Sequence, residues 1–401
     1  MIQFVAVCND ARASKIHDHP TRVLSLTILR GRGMNSPVAQ AILLVLVAAV
    51  MNAAYVLPMT LNKKWQWEHT WFAFSILGVA AVPTLIALLT VPQLWSTYSS
   101  VSGGVLAAMA LFGAGWGVSL VFFGLALTRV GLALTFAICL GTSAAVGALT
   151  PLIGQHSGQI MTRPGMLILL GILIILIGVA LCGLAGHRRE AVAQAKTTIK
   201  RQGFVAGFLL AFISGILGSM LNLGLAFGGS IQHAARDEGA SLAMMSNAVW
   251  LPCLYAGFLP GVIYCLYLMR KNGNFSSLKL PGTWYYWFAG ASMGFLWYGS
   301  VLLYSISTVK LGDLGTSIGW PLFMASIVIV SSILGVLTGE WSNTGRQPVR
   351  IMIAGVACLV LAMAILGYAS RQESSRAEAS QETSPAALAR LSFQLPRPLP
   401  A

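Results

Sequence analysis

The chain has 401 residues, of which 56% are hydrophobic and only 9% charged, and its mean hydropathy is +0.76. A soluble domain carries roughly 25% charged residues, so this chain lacks a polar skin and its outer surface must face lipid. The formal charge of +14 sits in short loops and tails between apolar runs, with no basic stripe interleaved by aromatics; that distribution argues against nucleic-acid binding and reads as a membrane-topology signal.

The first 36 residues are polar, contain Arg12, Lys15, Arg22, Arg30 and Arg32, and have no apolar core long enough for a secretory signal. Met34 stands just before the first apolar run, so segment 1–36 is either an extension ahead of a native start at Met34 or a short disordered tail. Apolar stretches of bilayer-crossing length then recur. They predict spans near 38–61, 70–91, 103–127, 130–152, 164–186, 203–229, 242–269, 283–307, 311–338 and 349–369. The third and fourth spans, and the eighth and ninth, are joined by turns so short that each pair must form a tight hairpin. The expected plan is therefore an all-α membrane protein of about ten transmembrane helices. It divides into five helices over 37–186, a basic loop over 187–202 and five helices over 203–369. From Ser370 to Ala401 the composition of Ala, Ser, Gln, Glu and Pro predicts a disordered tail.

Lys and Arg are unevenly divided among the loops. Those after odd-numbered spans hold thirteen, from Lys63 and Lys64 to Arg346 and Arg350, whereas those after even-numbered spans hold only Arg163, Arg236 and Lys310. The positive-inside rule places the odd loops in the cytoplasm and both chain ends outside.

An internal repeat accompanies this plan. Gly113-Ala114-Gly115-Trp116-Gly117 is followed by Val130-Gly131, and Gly294-Phe295-Leu296-Trp297-Tyr298 by Leu311-Gly312; the interval from tryptophan to glycine is the same in both. Val50-Met51-Asn52-Ala53-Ala54 in the first span has a counterpart in Ser219-Met220-Leu221-Asn222-Leu223 in the sixth. A duplicated unit of five helices enters the membrane from the opposite side the second time, giving two inverted five-helix repeats.

Two loop motifs are similar to those of a known family. Lys63-Lys64-Trp65-Gln66-Trp67-Glu68, with Trp71 beyond, resembles the first cytoplasmic loop of L-rhamnose–proton symporters, and the run from Gly339-Glu340-Trp341 to Gln347-Pro348-Val349 resembles their final loop. The segment Phe112 to Gly131 and Leu278-Lys279-Leu280 fit as well, and the similarity covers roughly residues 38–369. That family belongs to the drug/metabolite transporter superfamily, whose fold is a ten-helix inverted repeat. The resemblance implies a bacterial-type inner membrane protein that takes up a deoxy sugar with protons. The same fold also suits a carrier of another sugar, polyol or metabolite, with or without proton coupling.

A sugar site needs hydrogen-bonding groups for hydroxyls and aromatic faces for the ring. The spans offer Asn52, Tyr55, Trp116, Ser119, Asn222, Asn247, Trp297, Tyr298, Tyr304, Thr316, Ser317 and Trp320. Asn, Ser and Thr also serve as interhelical glue, and tryptophan as an interface anchor. Glycines such as Gly113, Gly115, Gly117 and Gly224 suit close helix contact. Symport calls for a titratable group in the membrane, yet every acid falls in a tail, a loop or at a span end, Glu373 in the tail and Glu68 ahead of the second span. Asp313, at the start of the ninth span, is the proton-coupling candidate, with helix capping as its alternative role.

Other classes lack their signatures. No Gly-x-x-x-x-Gly-Lys-Ser/Thr run exists for nucleotide binding, no His, Glu, Asp and Cys constellation suggests an enzyme, and the six cysteines show no metal-ligand or redox spacing. No cofactor and no metal is implied. The expected partners are a small sugar, protons and the lipid bilayer, and nothing in the sequence fixes an oligomeric state.

Overall fold

The computed structural model describes residues 36–194, 203–339, 341–342 and 344–382. Among these the chain forms helices only: α1 (Pro37–Ala54), α2 (Trp67–Thr90), α3 (Leu94–Ser99), α4 (Gly103–Val130), α5 (Leu132–Gln155), α6 (Arg163–Gln194), α7 (Phe204–Phe227), α8 (Gly229–Asp237), α9 (Asn247–Lys271), α10 (Trp284–Lys310), α11 (Gly315–Leu337) and α12 (Arg346–Glu382). Nine of them are long and apolar enough to cross a membrane. The remaining expected span, the eighth, is α10, equally long at 27 residues but less apolar, because it buries Tyr298, Ser300, Tyr304, Ser305, Ser307 and Thr308 in the bundle.

Local chemistry sets the helix ends. Ser36 caps α1, its Oγ accepting from Ala39 N at 3.2 Å, and Pro37 takes the first helical position, where its missing N–H is no loss. In α2 the stretch Phe74–Ala81 is π-helical and gives way to α-helix beside Pro83, which has no N–H to offer the ladder. The two hairpins turn on glycine. Gly131 alone separates α4 from α5 with φ +87°, and Gly312 turns α10 into α11 with φ +82°, a left-handed region costly for residues with a Cβ.

Helices α4 and α10 are the two central members. α4 packs between α7 and α9, α10 between α1 and α2; α5 lies against α6, α7 and α11, α11 against α1, α5 and α12, and α6 pairs along its length with α12. Glycine seams permit the closest approaches. A Cβ on Gly113 would lie 1.7 Å from Cys253 O, and one on Gly117 2.1 Å from Gly257 O, so the α4 and α9 backbones touch. Between α2 and α10, a Cβ on Gly294 would stand 2.1 Å from Gly78 Cα. Both expectations for Gly113 and Gly117 are met. The outward faces are apolar, with Leu43, Leu85, Leu111, Phe208 and Leu361 among the large exposed side chains, the inverse of a water-soluble surface.

Three boundaries differ from the sequence expectation. The seventh span begins at Asn247, not near 242, because α8 and the turn at Ser241–Ser246 intervene. α6 continues past 186 to Gln194, carrying Arg189 5.1 Å over the ring of Trp341; the rest of the basic loop lies outside the described residues. α12 continues past Ser370 to Glu382, where a disordered tail was expected. Ala, Ser, Gln and Glu are all compatible with a helix, and Ser370 and Glu373 are buried. Segments 1–35 and 383–401 lie outside the described residues.

Candidate functional site

Helix α10 gathers most of the expected polar and aromatic residues. Over the two turns from Trp297 to Tyr304, one side chain after another reaches a different neighbouring helix. Trp297 stacks on Trp116 of α4 with centroids 5.2 Å apart and planes at 22°, and Phe74 of α2 meets it edge-on at 6.1 Å. The Tyr298 hydroxyl donates to Asn247 Oδ1 of α9 at 2.9 Å, while Asn247 Nδ2 donates to Thr90 Oγ1 at 2.8 Å. Ser300 Oγ accepts from Asn52 Nδ2 of α1 at 3.0 Å. The Tyr304 hydroxyl donates to Asn222 Oδ1 of α7.

Asn222 is the junction of a second group. Its Nδ2 donates to Gly147 O of α5 at 2.8 Å and reaches Thr316 O of α11 at 3.4 Å. Trp320 packs edge-on against Tyr304 at 5.4 Å, and its Nε1 donates to Ser143 O at 2.9 Å. Gly147 leaves the room for that indole, since a Cβ there would lie 2.4 Å from the ring. Ser317 Oγ is fully buried without a hydrogen-bond partner. A buried unpaired hydroxyl is unfavourable by about 1–3 kcal/mol, which makes it a ready partner for a ligand hydroxyl.

The remaining expected residues stand apart from these two groups. Tyr55, half-buried just beyond α1, lies at the edge of the centre with its ring 5.7 Å from Phe74. Ser119 turns its hydroxyl back to Trp116 O at 2.6 Å, within its own helix. Asp313 is exposed in the turn between α10 and α11. Around the two groups, Trp116, Asn222, Asn247, Trp297, Tyr298, Tyr304, Ser317 and Trp320 are all buried, so the centre of the bundle is closed.

The sequence did not single out Ser143, Phe74, Thr90 or Ser300, which complete these contacts, or a cluster at one end of the bundle. There Glu68 Oε1 accepts from Asn272 Nδ2 at 2.9 Å and Asn274 Nδ2 at 2.8 Å. Fully buried His69 accepts from Gln66 N through Nδ1 at 3.2 Å, which leaves Nε2 to donate to Asn274 O at 3.0 Å. Trp65 Nε1 donates to Ser277 O at 2.9 Å. Every one of these longer links ties the corner between α1 and α2 to the loop between α9 and α10. The run Lys63 to Glu68 was itself conspicuous in the sequence; its partners, some 200 residues away, were not. Substituting Glu68 by alanine removes two charge-assisted hydrogen bonds, from exposed Asn272 and half-buried Asn274, and is expected to destabilise the protein by about 1–3 kcal/mol. Glu68→Gln keeps an acceptor and should lose less, an order that thermal unfolding in detergent checks directly.

A lipid-facing bundle of long helices around a closed centre of amides, phenols and indoles is that of a multi-pass membrane protein with a polar interior. Comparison with known proteins agrees and is more specific. The family model described as L-rhamnose-proton symport protein (RhaT) matches residues 34–371, and the chain belongs to that family. The L-rhamnose-proton symporter of Shigella sonnei (strain Ss046) is 29% identical over 343 residues, which cover 83% of this chain and 98% of that protein. The symporter of Escherichia coli O17:K52:H18 (strain UMN026 / ExPEC) is 28% identical over the same length and shares. A solved crystal structure, 18% identical with a TM-score of 0.50, covers 83% of this chain and 98% of its own, a likeness of fold alone.

Proposed function

We propose that this chain imports L-rhamnose or a closely related small sugar together with protons, by alternating access. Membership of the rhamnose symport family supports the cargo. The observation that carries the reading is the arrangement along α10: an indole pair, two phenols and two amides at mid-bundle, next to a buried serine hydroxyl with no partner. Indole faces suit the apolar side of a sugar ring, and amide, phenol and serine groups suit its hydroxyls. Asn222, Tyr304, Ser317 and Trp320 are the proposed hydroxyl-binding set, with Trp116 and Trp297 as the stacking surface.

Alternating access needs two halves that rock against each other, and paired features support two inverted repeats. Exchanging the first five long helices for the second five maps α4 against α9 onto α10 against α2, and α4 against α7 onto α10 against α1. Gly131 and Gly312 turn the matching hairpins with nearly equal φ. Ser119 and Ser300, each three residues after its repeat's tryptophan, bond back to Trp116 O and Trp297 O at the same 2.6 Å. The two tryptophans stack on each other where the repeats meet. With the lysine-rich loops inside and the termini outside, the Glu68 cluster becomes the closed inner gate.

Radiolabelled L-rhamnose uptake into proteoliposomes, with and without an imposed inward proton gradient, tests the reading. Accumulation that collapses with a protonophore is the expected result; equilibration alone would leave a facilitator, and no uptake would remove rhamnose as the cargo. Trp297→Ala is expected to weaken the sugar's apparent affinity by about 0.5–1.5 kcal/mol, the size of an aromatic contact, while Trp297→Phe retains most of it. Concentration dependence of uptake separates the two.

A further inference from the structure

A second buried acid sits at the opposite end of the bundle from Glu68. Glu373, on α12, is 9% exposed. Its Oε1 accepts from Leu314 N at 2.9 Å, at the N-terminus of α11. Its other oxygen, Oε2, is buried without a partner, and so is the hydroxyl of Ser370, one turn earlier on the same helix. Glu373 lies two residues beyond the stretch that the family model matches.

The charged groups around it are few. Asp313, beside Leu314 in the α10–α11 turn, is exposed and of like sign. Lys310, at the end of α10, donates to Gln40 Oε1 of α1 at 2.9 Å. On α6, packed against α12, Arg163 is exposed, as are Arg371 and Arg376 on α12 itself. Among the described residues no ion pair to Glu373 is present, so a buried carboxyl is left with one oxygen unsatisfied. An uncompensated buried carboxylate is strongly disfavoured, and a proton on Oε2 removes the charge.

We propose that Glu373 is the proton-coupling group of the transporter, binding the driving proton at Oε2 from the outer side. The proposal rests on the symport reading above and replaces Asp313 in the role. An ionised Glu373 holds Leu314 N by a charge-assisted bond, roughly twice as strong as a neutral one, and opposes the positive end of the α11 dipole. Protonation weakens both. The released turn is the one that carries the sugar-binding groups: Thr316 O meets Asn222, Ser317 has its unpaired hydroxyl, and Trp320 holds Ser143. Proton binding at Glu373 thereby loosens the helix that closes over the cargo, and the proton leaves to the inside once that helix has moved.

The test compares wild type, Glu373→Gln and Asp313→Asn in proteoliposomes. Glutamine keeps an acceptor for Leu314 N but cannot cycle a proton. Glu373→Gln is expected to lose gradient-driven accumulation of L-rhamnose while still exchanging labelled for unlabelled sugar at equal pH, and Asp313→Asn is expected to accumulate normally. Gradient-driven accumulation by Glu373→Gln at the wild-type level, or loss of exchange along with accumulation in a folded variant, overturns the proposal. A wild type that exchanges sugar but ignores the gradient fails the symport reading itself, and with it the proposal. Should the variant not fold, dicyclohexylcarbodiimide labelling of the native protein decides. This reagent attacks protonated carboxyls in apolar surroundings. Modification of the Glu373 peptide that declines as pH rises supports the site, and an unlabelled Glu373 at every pH overturns it.

Discussion

Asn222→Ala is expected to abolish L-rhamnose uptake and to lower the unfolding temperature of the detergent-solubilised protein. The amide donates to Gly147 O at 2.8 Å and to Thr316 O at 3.4 Å, and it accepts from the Tyr304 hydroxyl. Truncation leaves a fully buried phenol and a carbonyl of α5 without partners, each worth about 1–3 kcal/mol. The sugar's affinity is expected to fall at least about tenfold, since about 1.4 kcal/mol corresponds to a factor of ten. Tyr304→Phe removes one bond and leaves the amide's two donations in place, so its loss should be the smaller. Uptake at wild-type rate by a folded Asn222→Ala protein would remove this residue from the site.

Gly113→Ala should be the most damaging glycine-to-alanine change among the described residues. The added Cβ would lie 1.7 Å from Cys253 O and 2.4 Å from the carbonyl carbon, so α4 and α9 must part before it fits. Overpacking of this kind typically costs about 1–3 kcal/mol, occasionally more, and here the obstacle is backbone, which cannot rotate aside. Gly124→Ala, on the same helix with nothing within 4 Å of its Cβ, is the matched control. It is expected to be neutral or to stabilise by up to about 1 kcal/mol through helix propensity. The ratio of monodisperse to aggregated protein on size exclusion compares the two, and equal profiles would contradict the seam.

The sequence made the helices legible because lipid enforces a simple rule: about 20 apolar residues per crossing, with backbone groups satisfied inside each helix. The glycines of the third span were legible as points of close helix contact, which Gly113 and Gly117 make with α9, but the stacking of Trp116 on Trp297 was not. What one sequence conceals is pairing between distant residues. Asn222 was visible as a buried amide, but not its tie to Tyr304, because 82 residues separate them. Glu68 read as a span-end acid because its amide partners lie more than 200 residues away. Glu373 was lost to composition. Ala, Ser, Gln and Glu suit a solvated tail and an amphipathic helix alike, and only packing against α6 and the α10–α11 turn separates the two. Asp313, conspicuous in the sequence by its place at a helix start, is exposed in the turn once folded.

The π-helical stretch in α2 separates two kinds of attachment on one helix. Ahead of it lie Glu68 and His69, fastened to the α9–α10 loop; within it lies Gly78, pressed against Gly294. A π segment holds one residue more than the α-helical ladder around it, and passing that residue along the helix turns one side against the other by about 100°. The part of α2 ahead of the π segment is held by α10 as well, for a Cβ on Gly290 would lie 3.0 Å from Ala73 Cβ, and Trp65, just before the helix, meets Tyr286 edge-on at 5.2 Å. Loss of one residue from the π segment would therefore turn one of these two attachments away from α10 by about 100°.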